Sequence, residues 1–161
     1  MCFRGRAKEG VCDDANAQRL WDMTYEKAGK ELKASMDALV RDEKIYALRF
    51  GRPGRSPILG RPGVEAQRRF GEARPPTKAY AGGTIMIDTD DINRNLEIND
   101  ARVVLAHEIG HFFADGREED DAIANYENPF RDALGFPARG RYGPGLAGYP
   151  RLPGAGGMHF P

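Results

Sequence analysis

Apolar side chains recur at helical spacing through the N-terminal part of the chain. Asp13 and Asp14 can each cap a helix, and from there to about Glu43 the apolar residues follow one another at intervals of three or four. A helix is therefore predicted over this range, with Gly29 as the point where it could divide in two. The apolar positions are Trp21, Tyr25, Ala28, Leu32, Met36 and Leu39.

Two later segments have the composition of strands. Residues 44–50 mix β-branched and aromatic side chains and precede a glycine, and residues 82–87 contain the run Thr-Ile-Met-Ile. The intervening residues 51–76 repeat Gly-Arg-Pro and Pro-Gly steps without an apolar period, which predicts a long loop. The acidic and Asn-rich residues 88–100 are also predicted to form a loop. In a zinc hydrolase, a cleft-lining strand such as 82–87 could pair with an extended substrate.

Residues 101–115 place apolar side chains on both sides of a short polar triplet, as a helix beneath a cleft requires. Asn99 or Asp100 can cap its start, and Gly116 permits the turn at its end. Together these patterns predict an α+β fold in which a small sheet, residues 44–50 and 82–87, packs on this helix and on the N-terminal helix. The length suits a single domain, residues 1–161. Residues 1–12 and about 143–161 are predicted to be flexible, the latter because they are rich in glycine and proline.

Charge and cysteine content narrow the classes of function. The chain has 24 Lys and Arg residues against 24 Asp and Glu residues, so no net charge favours a nucleic acid or a membrane surface. Neither a signal-peptide pattern nor a run of about 18 apolar residues is present, which predicts a soluble chain. Cys2 and Cys12 are too few for a disulfide framework, and their redox state is left open.

The polar triplet has the spacing of a zinc site. His107, Glu108 and His111 form the sequence HExxH. On a helix, residues four apart point in nearly the same direction and lie about 6 Å apart along the axis, so two imidazoles can share one ion. Zn²⁺ suits neutral imidazoles and keeps a position open for water, whose proton Glu108 could take as general base. The motif predicts metal-assisted hydrolysis; the alternative is a core helix whose histidines only form hydrogen bonds.

A third ligand is expected from the acidic turn after this helix. Asp115 continues the series of residues four apart, but on a straight helix it stands about 12 Å from His107 along the axis, which is too far for one ion. A second helix that begins within residues 118–121 could direct a carboxylate back at the histidines. Glu119 is the preferred ligand, with Asp121, Asp115 and Glu118 as alternatives and His159 as a remote candidate.

The segments that follow the motif carry a family resemblance. The histidine helix is followed by a turn glycine, an acidic step EEDDAI at residues 118–123, and the segment ENPFRDALGFPARGRY at residues 127–142. This arrangement resembles the NleD-like effector metallopeptidases, HExxH zincin-like domains of secreted bacterial effectors and of the C-terminal ends of Rhs-type toxins. Many families share HExxH, so the ENxxRxxLG part is more distinguishing. The resemblance implies a zinc-dependent endopeptidase with His107, His111 and Glu119 as ligands and Glu108 as base.

The resemblance further implies a protein substrate inside a target cell, export by a dedicated system without a signal peptide, and a cognate immunity protein or a parent Rhs or secretion carrier as partner. No nucleic acid and no membrane insertion are expected. Glu127, Asn128 and Arg131 could buttress the site or pack a helix, and the structural role is favoured. Tyr142 is a candidate donor to an oxyanion. Two other functions remain open: an endogenous self-processing or regulatory metalloprotease, and a non-catalytic protein-binding domain.

Overall fold

A four-stranded mixed sheet, covered by helices, positions the residues of interest. The computed structural model describes residues 1–4, 12, 14–52, 70–113, 119–140 and 149–161. Within them the strands are β1 (Cys2–Arg4), β2 (Tyr46–Phe50), β3 (Gly71–Arg74) and β4 (Gly83–Ile87). The helices are α1 (Ala15–Lys27), α2 (Lys30–Arg41), α3 (Thr89–Asn93), α4 (Ala101–Phe113), α5 (Glu119–Ala122) and α6 (Asn128–Ala133), with a π-helical turn at Ile123–Glu127. This arrangement confirms the predicted α+β class.

The sheet has the strand order β1-β2-β4-β3. β1, β2 and β4 run parallel to one another, with Leu48 opposite Ile85. β3 pairs antiparallel with β4 and places Ala73 opposite Ile85. All five residues of β4 are buried, as a strand with neighbours on both sides requires. β3 is therefore an edge strand, and β4 lies in the interior of the sheet.

The N-terminal helix and both predicted strands are present with small differences. The single predicted helix is two helices, because the chain turns at Ala28 and Gly29. Asp14 caps α1, since its Oδ1 accepts a hydrogen bond from the backbone N–H of Ala17 at 2.7 Å. Trp21, Met36 and Leu39 are buried in the core, as the helical spacing predicts.

The prediction of a loop from 51 to 76 was wrong for residues 71–74, which form β3. This strand has four half-buried residues and no strong apolar alternation, so its pairing with β4 decides its conformation. The prediction of a loop at 88–100 was wrong for residues 89–93, which form α3. Asp88 caps the first turn of this helix, because its Oδ1 accepts a hydrogen bond from the backbone N–H of Asp91 at 3.0 Å. Residues 53–69 of the predicted loop lie outside the described residues.

Both ends of the chain, predicted to be flexible, contribute ordered segments. Cys2 lies in β1, is 2% exposed, and forms a disulfide with Cys12. Near the C-terminus, Phe160 is 1% exposed and its N–H donates to Oδ1 of Asn93. The terminal segment 149–161 therefore packs on the rest of the protein.

The start of α4 is fixed by a buried ion pair. Asp100 is fully buried and accepts hydrogen bonds from the backbone N–H and the guanidinium of Arg102, all at 2.9 Å. The backbone N–H of Met158 also donates to Oδ2 of Asp100 at 2.8 Å. Residues 101–110 of α4 are all buried, so this helix packs against the core and the C-terminal segment. Within the part of the chain that the structure describes, no helix combines the length and apolar character that a membrane crossing requires.

Candidate metal centre

Three side chains meet on the face of α4 that carries the HExxH sequence. The Nε2 atoms of His107 and His111 lie 3.1 Å apart. Glu119, the first residue of α5, places its two carboxylate oxygens 3.0 Å from Nε2 of His107 and 3.2 Å from Nε2 of His111. Ligand atoms arranged tetrahedrally around zinc at 2.0–2.1 Å lie about 3.3 Å apart. This group of side chains could hold a metal ion.

The alternatives to Glu119 divide into two groups. Asp121 and His159 are described, but neither belongs to the group around the histidines, and His159 is exposed in the C-terminal segment. Asp115 and Glu118 lie outside the described residues. Among the residues that the structure describes, His107, His111 and Glu119 are the single group of His, Cys, Asp or Glu side chains close enough together to share a metal ion.

The charges of the cluster are strongly coupled in the metal-free protein. Burial lowers the pKa of His107, but hydrogen bonds with Glu119 and Glu127 outweigh burial and raise this pKa to about 10. Burial raises the pKa of Glu119, yet its hydrogen bonds with His107 and His111 bring it well below the usual range. A proton on Nε2 of His107 lies where a metal ion would bind, so metal binding must displace this proton.

Glu127 holds His107 from the opposite side of the ring. Its Oε2 lies 2.8 Å from Nδ1 of His107. Because an ionised carboxylate can only accept, Nδ1 must donate, which leaves the lone pair on Nε2 for a metal. Arg131 donates to the same carboxylate at 2.9 Å and Arg139 at 3.0 Å. Burial raises the pKa of Glu127, but its contacts with His107, Arg139 and Arg131 lower it to about 2, so it is an anion.

The segment that most distinguishes the sequence thus contacts the candidate centre directly. Structural roles were predicted for Glu127, Asn128 and Arg131; Glu127 also orients a metal-ligand candidate. Asn128 holds the loop that carries Arg139, since its side chain accepts from the N–H of Arg139 at 2.8 Å and donates to the carbonyl of Arg139 at 3.0 Å. Arg131 is fully buried beneath Glu127. The ENxxR spacing matched the pattern of the resembled family but could not show which side chain Glu127 touches.

A close helix crossing brings Glu127 to the histidine. A Cβ at Gly110 would lie 3.0 Å from the ring of Tyr126 and 3.2 Å from Cα of Ala122. The π-helical turn at Ile123–Glu127 continues from α5, so Glu119 and Glu127 come from one continuous helical segment that packs against α4. Glycine within HExxH therefore permits the approach on which both carboxylate contacts depend.

Glu108 faces the edge strand of the sheet. Burial raises the pKa of the Glu108 carboxyl, although electrostatic interaction with His107 and a hydrogen bond from the backbone N–H of Ala73 oppose this shift. A Cβ at Gly71 would lie only 2.7 Å from Val104 and 3.0 Å from Glu108. β3, which the sequence did not predict, is therefore part of the wall beside the candidate base.

A cleft of about 610 Å³ runs between β3 and α4. It is lined by the histidines, Glu108, Glu119, all four residues of β3, Phe70, Phe112, Asn99 and Tyr149. Tyr149 was not predicted, because it stands in the Gly- and Pro-rich stretch that was expected to be flexible. Burial raises the pKa of its hydroxyl to about 12. Tyr142, the candidate that the sequence suggested, lies outside the described residues.

Comparisons of this chain with protein-family models, with curated proteins and with solved structures find no match. The candidate centre is therefore defined by its own residues: two histidines four apart on a buried helix, a carboxylate from the next helix, and a buried glutamate beside them.

Proposed function

We propose that this protein is a zinc-dependent endopeptidase with a zincin-like arrangement of its active site. The observation that carries the proposal is the convergence of His107, His111 and Glu119 beside Glu108 in one cleft. Two imidazoles and one carboxylate form the ligand set of several catalytic zinc sites, which leave a fourth position open. A purely structural zinc site would use four protein ligands, whereas three are found together here.

A zinc ion bound to these ligands would lower the pKa of water and polarise a carbonyl group. The residues of the chain supply the remaining steps. Glu108 takes the proton of the attacking water and later delivers it to the leaving amine, a task for which a raised carboxyl pKa is suited. Glu127 keeps His107 in the tautomer that presents Nε2 to the metal.

The substrate proposed is an extended stretch of polypeptide. β4 cannot accept such a segment, because both of its sides are paired with β2 and β3. The outer side of β3 ends the sheet, and all four of its residues line the cleft beside Glu108. Main-chain pairing with an edge strand would hold a peptide without selecting its sequence, so side-chain contacts in the cleft would set the preference.

The biological role proposed is that of a secreted effector or toxin protease that cleaves a protein in a target cell. It rests on the resemblance of residues 101–142 to the NleD-like metallopeptidases. The contact between Glu127 and His107 supports this resemblance, because it gives the ENxxR segment a physical role at the candidate centre. An immunity gene or a secretion carrier encoded next to the gene would favour this role over an endogenous regulatory protease.

The decisive experiment combines metal analysis with one substitution. The purified protein should contain about one equivalent of zinc. Glu108→Gln should keep the metal, since Glu108 is not a ligand, while it abolishes toxicity on inducible expression and the appearance of new protein termini in the target cell. Glu26→Gln, an exposed position on α1, is the matched control. Protein without metal, or a Glu108→Gln variant as active as wild type, would overturn the proposal.

A further inference from the structure

Tyr149 has the properties of a group that acts on bound substrate. It lines the same cleft as the three ligand candidates and Glu108. Among the described residues no hydrogen-bond partner of its hydroxyl is found, and the hydroxyl oxygen is accessible from the cleft. An accessible hydroxyl of this kind can donate a hydrogen bond to a ligand bound in the cleft.

The ring of Tyr149 is held in place on two sides. The guanidinium carbon of Arg139 lies 4.1 Å from the centre of the ring, and Phe70 meets the ring edge to face at 5.6 Å. Arg139 also donates to Glu127, which in turn contacts His107. A chain of three contacts therefore connects the first metal-ligand candidate to Tyr149 and fixes the position of its ring relative to the centre.

The segment that carries Tyr149 is anchored beyond it. The backbone N–H of Leu152 donates to the carbonyl of Glu97 at 2.8 Å, and that of Gly157 donates to the carbonyl of Leu96 at 2.7 Å. Phe160 is buried at the end of the same segment. These contacts join the segment to the residues that precede α4, so Tyr149 is presented to the cleft by ordered backbone.

We propose that the Tyr149 hydroxyl donates a hydrogen bond to the oxyanion that develops on the scissile carbonyl. When water adds to the carbonyl carbon, the C=O bond becomes a C–O single bond and its oxygen gains negative charge, which a fixed donor stabilises. The bond to the amine then breaks and the carbonyl re-forms. This inference rests on the proposed peptidase function and assigns to Tyr149 the role that the sequence suggested for Tyr142.

The test uses a tetrahedral anion as well as a peptide. Methylphosphonate is titrated into the zinc-loaded full chain and its binding is measured by calorimetry. This small anion carries negatively charged oxygens on a tetrahedral centre and has no amino-acid side chain, so its affinity does not depend on side-chain preference in the cleft. Tyr149→Phe should weaken its binding about tenfold or more, the cost of losing a hydrogen bond to a charged group. The zinc content should not change, since phenylalanine keeps the ring on Arg139. Tyr25→Phe, whose hydroxyl contacts Asp37 on α2, is the matched control and should bind as wild type does.

Once a peptide that the protein cleaves has been identified, its kinetics give a second test. Tyr149→Phe should lower kcat about 100-fold with a small change in KM, as expected for an interaction made in the transition state. If Tyr149→Phe binds methylphosphonate within twofold of the wild-type affinity, the proposal is overturned, whether or not Tyr142→Phe binds it more weakly. Failure of the peptidase function would appear differently, as a wild-type protein that loads zinc but cleaves nothing. The phosphonate titration reports on Tyr149 in that case too.

Discussion

Oε2 of Glu127 lies 2.8 Å from Nδ1 of His107, on the opposite side of the imidazole from Glu119. The ring is thus held between two carboxylates, one that could share a metal with it and one that orients it. Arg131 and Arg139 in turn hold the orienting carboxylate in a site that is almost closed to solvent.

Replacement of the orienting carboxylate should weaken metal binding. Glu127→Gln keeps the size of the side chain but removes the charge that faces His107, Arg131 and Arg139. We expect about 10–100-fold lower zinc affinity, the usual cost of losing such a partner, measured by competition with a chromophoric chelator. Glu26→Gln should bind as tightly as wild type. Equal affinities for Glu127→Gln and wild type would show that Glu127 does not support the centre.

Gly71 should be required for the geometry of the candidate base. In Gly71→Ala the new methyl group meets Val104 at 2.7 Å and Glu108 at 3.0 Å, so β3 or Glu108 must move. We expect a loss of about 1–3 kcal/mol in the free energy of unfolding from overpacking, and reduced hydrolysis with normal zinc content. Gly29→Ala is the control, because a methyl group there meets nothing within 4 Å. An active, stable Gly71→Ala protein would contradict this account of the cleft wall.

The stability of the metal-free protein should fall at alkaline pH. Despite burial, contacts with Glu119 and Glu127 raise the pKa of His107 from 6.5 to about 10. A raised folded-state pKa gives stability that is fully present below about pH 6.5 and is lost as the pH rises through about 10. Urea unfolding of chelator-treated protein across this window should show the decline.

Zinc-loaded protein should lack the pH-dependent stabilisation that arises from the raised pKa of His107, because Nε2 of His107 then binds the ion in place of a proton. His159→Ala, which alters an exposed histidine, should keep the alkaline decline of the metal-free protein. A flat pH profile for metal-free wild type would argue against the charged arrangement of His107 between two carboxylates.

The disulfide should support β1 without affecting the metal centre. Cys2 and Cys12 are ten residues apart, so their bond closes a short loop, and its removal should cost about 2–3 kcal/mol in the free energy of unfolding. Because β1 and β3 are at opposite edges of the sheet, zinc affinity should not change. The double variant Cys2→Ser, Cys12→Ser, followed by hydrogen exchange, should show faster exchange in β1. Loss of zinc binding in this variant would contradict the separation of the two edges.

The parts of the protein that the sequence predicted are those governed by local periodicity. The helical spacing around Leu32 and the β-branched run at Ile85 each fix an element without reference to distant residues. The spacing of His107 and His111 likewise guarantees a shared face once a helix forms. Glu119 could be proposed because a short turn leaves few directions in which the next helix can run.

The remaining features depend on contacts between residues distant in sequence. β3 has weak strand character of its own, and its hydrogen bonds to β4 determine its structure. Glu127 meets His107 across twenty residues, and Tyr149 reaches the cleft only because the C-terminal segment is tied to residues 96–100. Neither contact leaves a periodic signal, so the sequence alone could not place these side chains.

The π-helical turn at Ile123–Glu127 bears on how the spacing of the two carboxylates could vary among homologues. Glu119 and Glu127 are eight residues apart, which on a regular α-helix corresponds to about 80° of rotation. The wider turn removes most of this angle, and both carboxylates face His107. Deletion of one residue from the turn, with a return to regular α-helix, would leave the two carboxylates seven residues apart, which is about 20° short of two full turns. A homologue with an intact HExxH sequence and a shorter, regular turn would thus keep an orienting carboxylate on the same face, one position closer to the third ligand candidate.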